Sequence, residues 1–329
     1  MNDVMNRKAL ILLSGGLDSI LAAKMMLNQG VEVEAIHFAM VFSASRAEKT
    51  AADLGIKITV KNITDEFLEV VKNPKHGYGS GTNPCIDCKI FMLKKAKAFM
   101  EDVGASFIVT GEVLGERPMS QRRDTIMLIE KEAGLKGLIL RPLSAQLFDP
   151  TIPEEKGIVD RERLLAISGR SRKPQMALAK KFGIDEYPNP AGGCLLTDPA
   201  FSKRVKDLLG HNVFTLDNIA LLKVGRHFRL SESCKLIVGR NEKENETINT
   251  LSREKDLLMD AKDLPGPIGL LRGVATTEDL GLALKVVARY VDKTDKGTVA
   301  MVYWSAEKDA KSFAEVEPLG KEALEKIRI

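Results

Sequence analysis

Aromatic residues make up only 5% of the 329 positions, so the chain shows no obvious ring platform for stacking successive single-stranded bases. No apolar run approaches the roughly 18 to 20 residues a membrane span needs, and Met1-Asn2-Asp3-Val4 does not begin a secretory signal; a cytoplasmic protein is expected. The four cysteines are too few and too scattered for a secreted disulfide framework, and in a reducing compartment Cys-x-x-Cys is more often metal-binding or redox-active. There is no internal repeat and no low-complexity tract. Neither charge sign dominates: the net charge is +4, with 30 Lys and Arg against 26 Asp and Glu in residues 1–212, and 19 against 19 in residues 213–329. Any surface for nucleic acid must therefore be local.

A hydrophobic share of 44% supports a real core, and the length suits about two domains. The most informative stretch is KALILLSGGLDSILAAKMM, an apolar strand that runs into Ser14-Gly15-Gly16 and opens a helix at Leu17-Asp18-Ser19. Glycines allow a tight strand-to-helix turn, and the first N–H groups of the helix would face an anion. Ser14 and Ser19 add hydroxyls. The Gly-Lys-Ser/Thr of a Walker loop is missing, which argues against a kinase-like or GTPase-like site. Asp18 would repel a bare phosphate but suits a magnesium ion bridging to one. Its bland alternative is to complement the helix dipole, with Ser14 capping the turn.

Further along, Val31 to Ala39, Ile56 to Val60, Ser106 to Thr110 and Leu138 to Leu140 read as strands, and Ala44 to Leu54 and Lys89 to Val103 as helices. Such alternation predicts a Rossmann-like α/β fold, a parallel sheet with helices on both faces, whose ligands sit beyond the carboxyl ends of the strands. His37 and Phe38 fall at such an end and become candidates for the adenine side, although a satisfied structural histidine is the more ordinary role for His37. Gly111 follows the fourth strand at the same edge. Between residues 72 and 88 lies a long Gly-rich loop, HGYGSGTNPCIDC; loops of that length tend to be functional or disordered. Cys88 then stands at a helix start, where the dipole lowers a thiol pKa. Asp160 to Phe182 reads as a basic helix, and Arg170, Arg172 and Lys173 are either a solvated face or an RNA contact. Composition shifts near Gly210, which gives domains 1–212 and 213–329. The second is a smaller α+β module with strands at His227 to Leu230, Lys235 to Val238 and Val299 to Trp304, and helices at Asn241 to Thr250 and Thr277 to Tyr290.

The turn Ser14-Gly15-Gly16-Leu17-Asp18-Ser19 resembles that of the PP-loop ATP pyrophosphatase family. The resemblance implies an adenine nucleotide alpha hydrolase-like domain, ATP with Mg2+, and release of pyrophosphate as a substrate is adenylated. Asn83-Pro84-Cys85-x-x-Cys88-Lys89, with Gly192-Gly193-Cys194-Leu195-Leu196-Thr197 downstream, resembles bacterial tRNA-specific 2-thiouridylase, where Cys88 and Cys194 match a working cysteine pair and Cys85 falls where many members have aspartate. Thr110-Gly111-Glu112, Leu114-Gly115, Ser120-Gln121 and Leu140-Arg141-Pro142-Leu143 are similar to the PP-loop domain of the tRNA 4-thiouridine synthetase. Gly225-Arg226-His227-Phe228-Arg229, Val238-Gly239-Arg240-Asn241 and Asp260-Ala261-Lys262-Asp263-Leu264-Pro265-Gly266 resemble the NFACT-R RNA-binding module. The accessory domains of both thiouridine families are missing from this chain, so the target uridine does not carry over.

Together these resemblances imply a tRNA sulfurtransferase. AMP makes a good leaving group of a uracil carbonyl oxygen, and sulfur then displaces it. Two designs use the three cysteines. Cys194 carries a persulfide that Cys88 resolves, or Cys85, Cys88 and Cys194 hold a 4Fe-4S cluster with one open iron. The extra cysteine favours the cluster, and zinc is less attractive because His76 is the only histidine of that loop. The expected partners are tRNA, held partly through Lys223, Arg226, His227 and Arg229, and a sulfur donor, a cysteine desulfurase or inorganic sulfide; a homodimer is open to it. Alternatives are a non-catalytic RNA-binding protein with a degenerate nucleotide domain, which an intact turn disfavours, and an amidating PP-loop ligase, which leaves the cysteines unexplained.

Overall fold

The structure, a computed structural model, describes residues 6–42, 46–187, 194–291, 297–305 and 310–329. Gly192 and Gly193 of the downstream cysteine motif lie outside the described residues. The chain divides into two compact units, Met1–Thr197 and Asp198–Ile329.

In the first unit the elements run β1 (Lys8–Leu12), α1 (Leu17–Asn28), β2 (Glu32–Ala39), α2 (Ala47–Leu54), β3 (Lys57–Asn62), α3 (Thr64–Lys72), α4 (Cys85–Asp102), β4 (Phe107–Val109), α5 (Arg123–Ala133), β5 (Ile139–Leu140), the single turn α6 (Ile152–Glu155) and α7 (Lys173–Lys181). The five strands form a parallel sheet in the order β3-β2-β1-β4-β5. Strands buried on both faces read as continuous apolar runs, and β1 shows the division: Ala9 and Ile11 pack with α1 and α7, while Leu10 packs with α4 and α5. Chain order reverses between β1 and β4, which makes that gap the switch point where a crevice forms.

Three elements escape the sequence pattern, α3, α5 and the single turn α6, and two differ in extent. The helix after the Gly-rich loop starts at Cys85 rather than Lys89, so the loop is shorter and both cysteines are helical. The basic stretch from Asp160 is not one helix: a 3-10 turn at Arg161–Arg163 is followed by irregular chain, and α7 begins only at Lys173, with Pro174 in its first turn. Proline is welcome there and hostile further inside a helix.

The second unit contains α8 (Pro199–Gly210), α9 (Leu216–Leu221), β6 (Arg226–Ser231), β7 (Cys234–Val238), α10 (Glu242–Thr250), β8 (Leu257–Ala261), β9 (Gly269–Gly273), α11 (Thr277–Ala288), β10 (Val299–Ser305), β11 (Lys311–Val316) and α12 (Lys321–Ile327). Its six strands form an antiparallel sheet in the order β11-β10-β8-β9-β7-β6. Alternation sorts the residues: Phe228, Leu236 and Leu271 face α11, whereas Ile237, Leu258 and Leu270 face the side of α9 and α10. The division at 197/198 lies before the composition shift at 212/213, because α8 is tied to the second sheet. Asp207 of α8 accepts from Arg229 at 2.9 and 2.7 Å and from Lys235 at 2.8 Å.

Candidate active site

Backbone geometry builds the phosphate turn. Gly15 has φ +78°, and a Cβ there would sit 2.9 Å from the Arg46 backbone at the start of α2. Gly111 has an ordinary φ but an equally strict role: its Cβ would come within 2.5 Å of the Asp18 and Ser19 backbone. The chain leaving β4 can therefore lie directly on the first turn of α1. Gly16 caps α1 with no side-chain hydrogen bond, which leaves first-turn N–H groups for a ligand. The two serines brace the turn from inside. Ser14 Oγ lies 3.2 Å from Ser19 Oγ and accepts from the Gly16 N–H at 3.3 Å, and Ser19 Oγ donates to the Gly16 carbonyl at 2.8 Å.

A cavity of about 400 Å³ opens over this turn at the carboxyl ends of β1, β2 and β4, lined by Ser14, Gly16, Asp18, Ser19, His37 and Phe38, with Lys89, Gly111, Glu116 and Arg117 opposite. His37 lines it while its Nδ1 bonds the Leu13 carbonyl at 2.9 Å, a link between β2 and the chain leaving β1. Phe38 is 5% exposed. Asp18 is the charged centre of the turn, and its Oδ1 is buried without a hydrogen-bond partner. Burial raises its carboxyl pKa, while Arg172 and Arg117 pull it down. Glu116 is raised by burial too, with Asp18 adding to the shift and Arg117 and Arg172 opposing it. Two carboxylates and two guanidinium groups thus share one mouth, and an orphaned carboxylate oxygen at a helix start fits a magnesium ion held by one or two carboxylates and a substrate's phosphates.

Sequence reasoning puts the segment GEVLGERPMSQ, residues 111–121, at this edge without singling out Glu116 and Arg117; it missed Lys89 and placed Arg172 with RNA. The signal for Arg172 lay in the chain path. Gly169 N–H donates to the Leu114 carbonyl at 2.7 Å, and Leu114 and Ser168 form a parallel bridge. The segment before α7 is thereby fastened beside the cavity. Arg170 and Lys173 stay exposed, and Gln175, fully buried, lies beside Asp18.

Beneath the cavity Glu112 is 5% exposed and pairs with Lys89 at 3.2 Å and Arg141 at 3.0 Å; Arg141 also bonds Glu130. Burial would raise Glu112, but Lys89 and Arg141 outweigh it and hold the carboxyl at about 2. This ion network ties α4 and α5 to the strand ends.

The cysteines approach the same edge. Cys85 and Cys88, three residues apart on the first turn of α4, share a face, and Cys88 adjoins the cavity residue Lys89. Asn83, 6% exposed, directs its Nδ2 at the Cys85 Sγ, 3.1 Å away. Cys194 arrives because the Thr82 N–H donates to the Leu196 carbonyl at 3.1 Å and the Leu195 N–H to the Phe42 carbonyl at 3.3 Å. The three thiols feel one another: burial pushes Cys88 up to about 12 against the pull of Lys89, and Cys194 and Cys85 add to the rise. Burial raises Cys194 as well, and Cys85 contributes. A thiol at about 12 is protonated at neutral pH, contrary to the lowering expected at a helix start; here desolvation exceeds the dipole. Among the described residues no group of three or more His, Cys, Asp or Glu side chains is arranged to hold a metal ion, so the cysteines converge without forming a closed ligand set. The His76 ring is turned to Glu132, with Nε2 3.2 Å from its carboxylate, while the His76 backbone N–H donates to Asp87 at 2.9 Å.

The four basic residues expected to grip RNA in the second unit do not form one exposed surface. His227 is 1% exposed, its Nε2 is 2.8 Å from the Val224 carbonyl, and burial holds its pKa well below 6.5; it is a neutral core residue. Arg229 is engaged by Asp207. Arg226 donates to the Gly239 carbonyl at 2.9 Å and lies 4.3 Å over the Tyr290 ring. Lys223 alone of the four is exposed.

Comparisons with known proteins divide the chain in the same way. Residues 4–147 match the family model of the thiamine biosynthesis protein ThiI, and residues 225–328 match that of the NFACT protein RNA binding domain. The two matches fall on separate parts of the chain, the first within the α/β unit and the second within the antiparallel one. Curated relatives of the first part include a protein named probable tRNA sulfurtransferase from Caldanaerobacter subterraneus subsp. tengcongensis, 32% identical over 148 residues, which are 42% of this chain and 37% of the relative. Another of that name, from Brevibacillus brevis, is 35% identical over 144 residues, 42% of this chain and 35% of the relative. The chain thus spans little more than a third of these relatives. Among solved structures, a predicted subunit of tRNA methyltransferase from Methanocaldococcus jannaschii covers 42% of this chain and 68% of its own at 21% identity and a TM-score of 0.32, too distant to argue from. No helix among the described residues is long and apolar enough to cross a membrane.

Proposed function

We propose that this chain is an ATP-dependent tRNA sulfurtransferase. It adenylates a uridine carbonyl with release of pyrophosphate, and sulfur carried by its cysteines then replaces the activated oxygen. The observation that carries this reading is the meeting of two features at one sheet edge: a glycine-built phosphate turn with the unpartnered Asp18 Oδ1, and a trio of thiols whose Cys88 adjoins the cavity residue Lys89. The matches to the ThiI family model and to relatives named probable tRNA sulfurtransferase support it.

The first-turn N–H groups from Leu17 to Ser19 receive the departing pyrophosphate, and Asp18, with Glu116 opposite, would hold Mg2+ against it. Magnesium supplies charge neutralisation for the leaving phosphates. Arg117 and Arg172 add fixed positive charge at the same mouth, where developing negative charge is stabilised without reorganisation. His37 and Phe38 form the wall assigned to adenine. The uridine oxygen bonds the α-phosphorus as pyrophosphate leaves; sulfur then bonds the carbon, and AMP departs with the oxygen.

For the sulfur step, Cys85, Cys88 and Cys194 are donors of the type that holds a 4Fe-4S cluster, and the Asn83 amide is directed at Cys85 Sγ, a hydrogen bond of the kind cluster sulfurs take. To hold one, the three would have to close up from the arrangement seen here. When bound, the cluster would present sulfide at an iron that no protein thiolate occupies. Cys85 separates this design from a persulfide on Cys194 resolved by Cys88. tRNA is held by the second unit and by Arg170 and Lys173, exposed before and at the start of α7; a cysteine desulfurase or inorganic sulfide supplies the sulfur.

The test is anaerobic purification with iron and sulfide analysis, then a thiolation assay on bulk tRNA with nucleotide products resolved. AMP and pyrophosphate are expected, and ADP with phosphate as main products would overturn the assignment. Alanine at Cys85, Cys88 or Cys194 should abolish thiolation and visible absorbance together, whereas Cys234→Ala, deep in the second unit, should change neither. An active, iron-free Cys85→Ala enzyme would leave the persulfide pair.

A further inference from the structure

The second unit holds a cavity of about 430 Å³ on the sheet face opposite α11, under α8 and α9. Strand register places three cations across it. Arg229 on β6 is the partner of Lys235 on β7, and Lys235 is the partner of Arg272 on β9. All three line the cavity. Like charges set directly opposite one another destabilise a sheet, and Lys235 is only 6% exposed. Carboxylates compensate in part. Asp207 takes Arg229 and Lys235, and Asp256 takes Arg272 with contacts of 3.0 and 3.1 Å. Three cations, Lys235 buried and both arginines largely so, face two carboxylates. A third carboxylate, Glu232, stands at the rim 3.4 Å from His211 but is fully in solvent, where its charge is screened.

Beside the row, His227 also lines the cavity. Its Nε2 is satisfied by the Val224 carbonyl, so the neutral ring leaves Nδ1 as an acceptor, and that atom has no hydrogen-bond partner. Leu208, Leu221 and Val274 supply apolar wall. A bare phosphate would answer the surplus cation yet leave the wall and the acceptor unused. A nucleotide answers all three: its phosphodiester is a monoanion, its base has an apolar face, and a base N–H or ribose O–H can donate to Nδ1.

We propose that this cavity receives one unpaired nucleotide of an RNA chain, with its phosphate on the Arg229–Lys235–Arg272 row and its base or ribose against His227 Nδ1. This rests on the reading that the second unit binds RNA, which the family description of residues 225–328 supports. It moves recognition from an outer basic patch to a pocket.

Val274 offers a clean probe because it is 78% exposed at the rim; Val274→Trp should fill the mouth without disturbing the fold. Full-length protein is titrated with bulk tRNA and with single-stranded oligouridylate, alongside Val274→Trp and Lys235→Met, each checked by thermal melting. Both variants should lose affinity by about tenfold or more, the worth of one charge-assisted contact. In parallel, uridine 5′-monophosphate should shift the His227 Nδ1 signal in 15N-histidine spectra of the wild type and not of Val274→Trp. Wild-type RNA binding that both folded variants retain in full would overturn the pocket and leave RNA binding by the unit intact. Absence of RNA binding by the wild type would overturn both, and a His227 shift with the mononucleotide would then mark a site for free nucleotide.

Discussion

The phosphate turn of the first unit and the basic cluster of the second are both short runs rich in functional-looking residues, and folding treats them in opposite ways. Ser14 to Ser19 keep the relations their order implies, because glycine conformation and the start of a helix are local properties. Lys223 to Arg229 are dispersed. On a strand, successive side chains leave by opposite faces, so His227 and Arg229 go to one face of the sheet while Arg226 and Phe228 go to the other. A motif written in backbone geometry survives the step to three dimensions, and a tally of charges does not.

The largest expected difference between the two regions is catalytic. Asp18→Ala should reduce tRNA-dependent pyrophosphate release on the order of 10²–10³-fold, the scale of losing one preorganised electrostatic contact, with an unchanged melting temperature. Arg226→Ala should leave the reaction with ATP at the first unit near wild type. Equal losses in the two variants would show that the reaction depends on Arg226 as much as on Asp18, and would break the contrast.

What was legible in the sequence follows the same line. The parallel sheet, its edge and the glycine turn could be read from strand-helix alternation and from Gly15 and Gly16. Cys85 and Cys88 could be named but not placed, because Pro84 and the glycines before it suggested that the loop ran four residues further. The approach of Cys194 depends on the Thr82 to Leu196 hydrogen bond, a contact between segments more than a hundred positions apart that no local pattern encodes. Arg172 is the most instructive miss. Its neighbours made it part of a basic run, and only the pairing of Ser168 with Leu114 turns it towards Asp18.

A second difference concerns stability. Arg141 is 4% exposed and serves two buried carboxylates, Glu112 and Glu130, whereas Arg226 bonds one carbonyl and covers one ring. Breaking a buried ion network by removing one partner costs roughly 3–5 kcal/mol, so Arg141→Met should lower the stability of the first unit by about that much. Arg226→Met should cost the second unit about 1–2 kcal/mol, one carbonyl hydrogen bond and one cation–π contact. Urea titrations of the two variants check the order; a reversal would mean that Arg226, not the Arg141 network, is the structural anchor.

The smallest effect is graded with pH, and it should part the two units in acid. His227 has its pKa held well below 6.5 by burial first, then by Lys235 and Arg204, against the Val224 carbonyl and Asp207. The unfolded chain takes up a proton near 6.5 and the folded one does not, so the second unit loses stability as pH falls from there, by up to about 1.4 kcal/mol per pH unit for one proton. Lys235 acts only on the alkaline side: burial lowers it to about 8, so its cost to the fold is lifted as pH rises above that value. In the first unit Glu112 is held at about 2, and its contribution is complete above the ordinary carboxylate value of 4.5 and lost only between 4.5 and 2. Between pH 6.5 and 5, therefore, urea should unfold the second unit progressively earlier, while the first holds its midpoint or gains, because Asp18 and Glu116, raised by burial, take up protons more readily folded than unfolded. Trp304, the single tryptophan, lies in β10 and reports the second unit by fluorescence; ATP binding reports the first. His227→Gln, which cannot take up the proton, should flatten the fluorescence-detected trend, and a trend that persists in that variant would assign the acid sensitivity to another group.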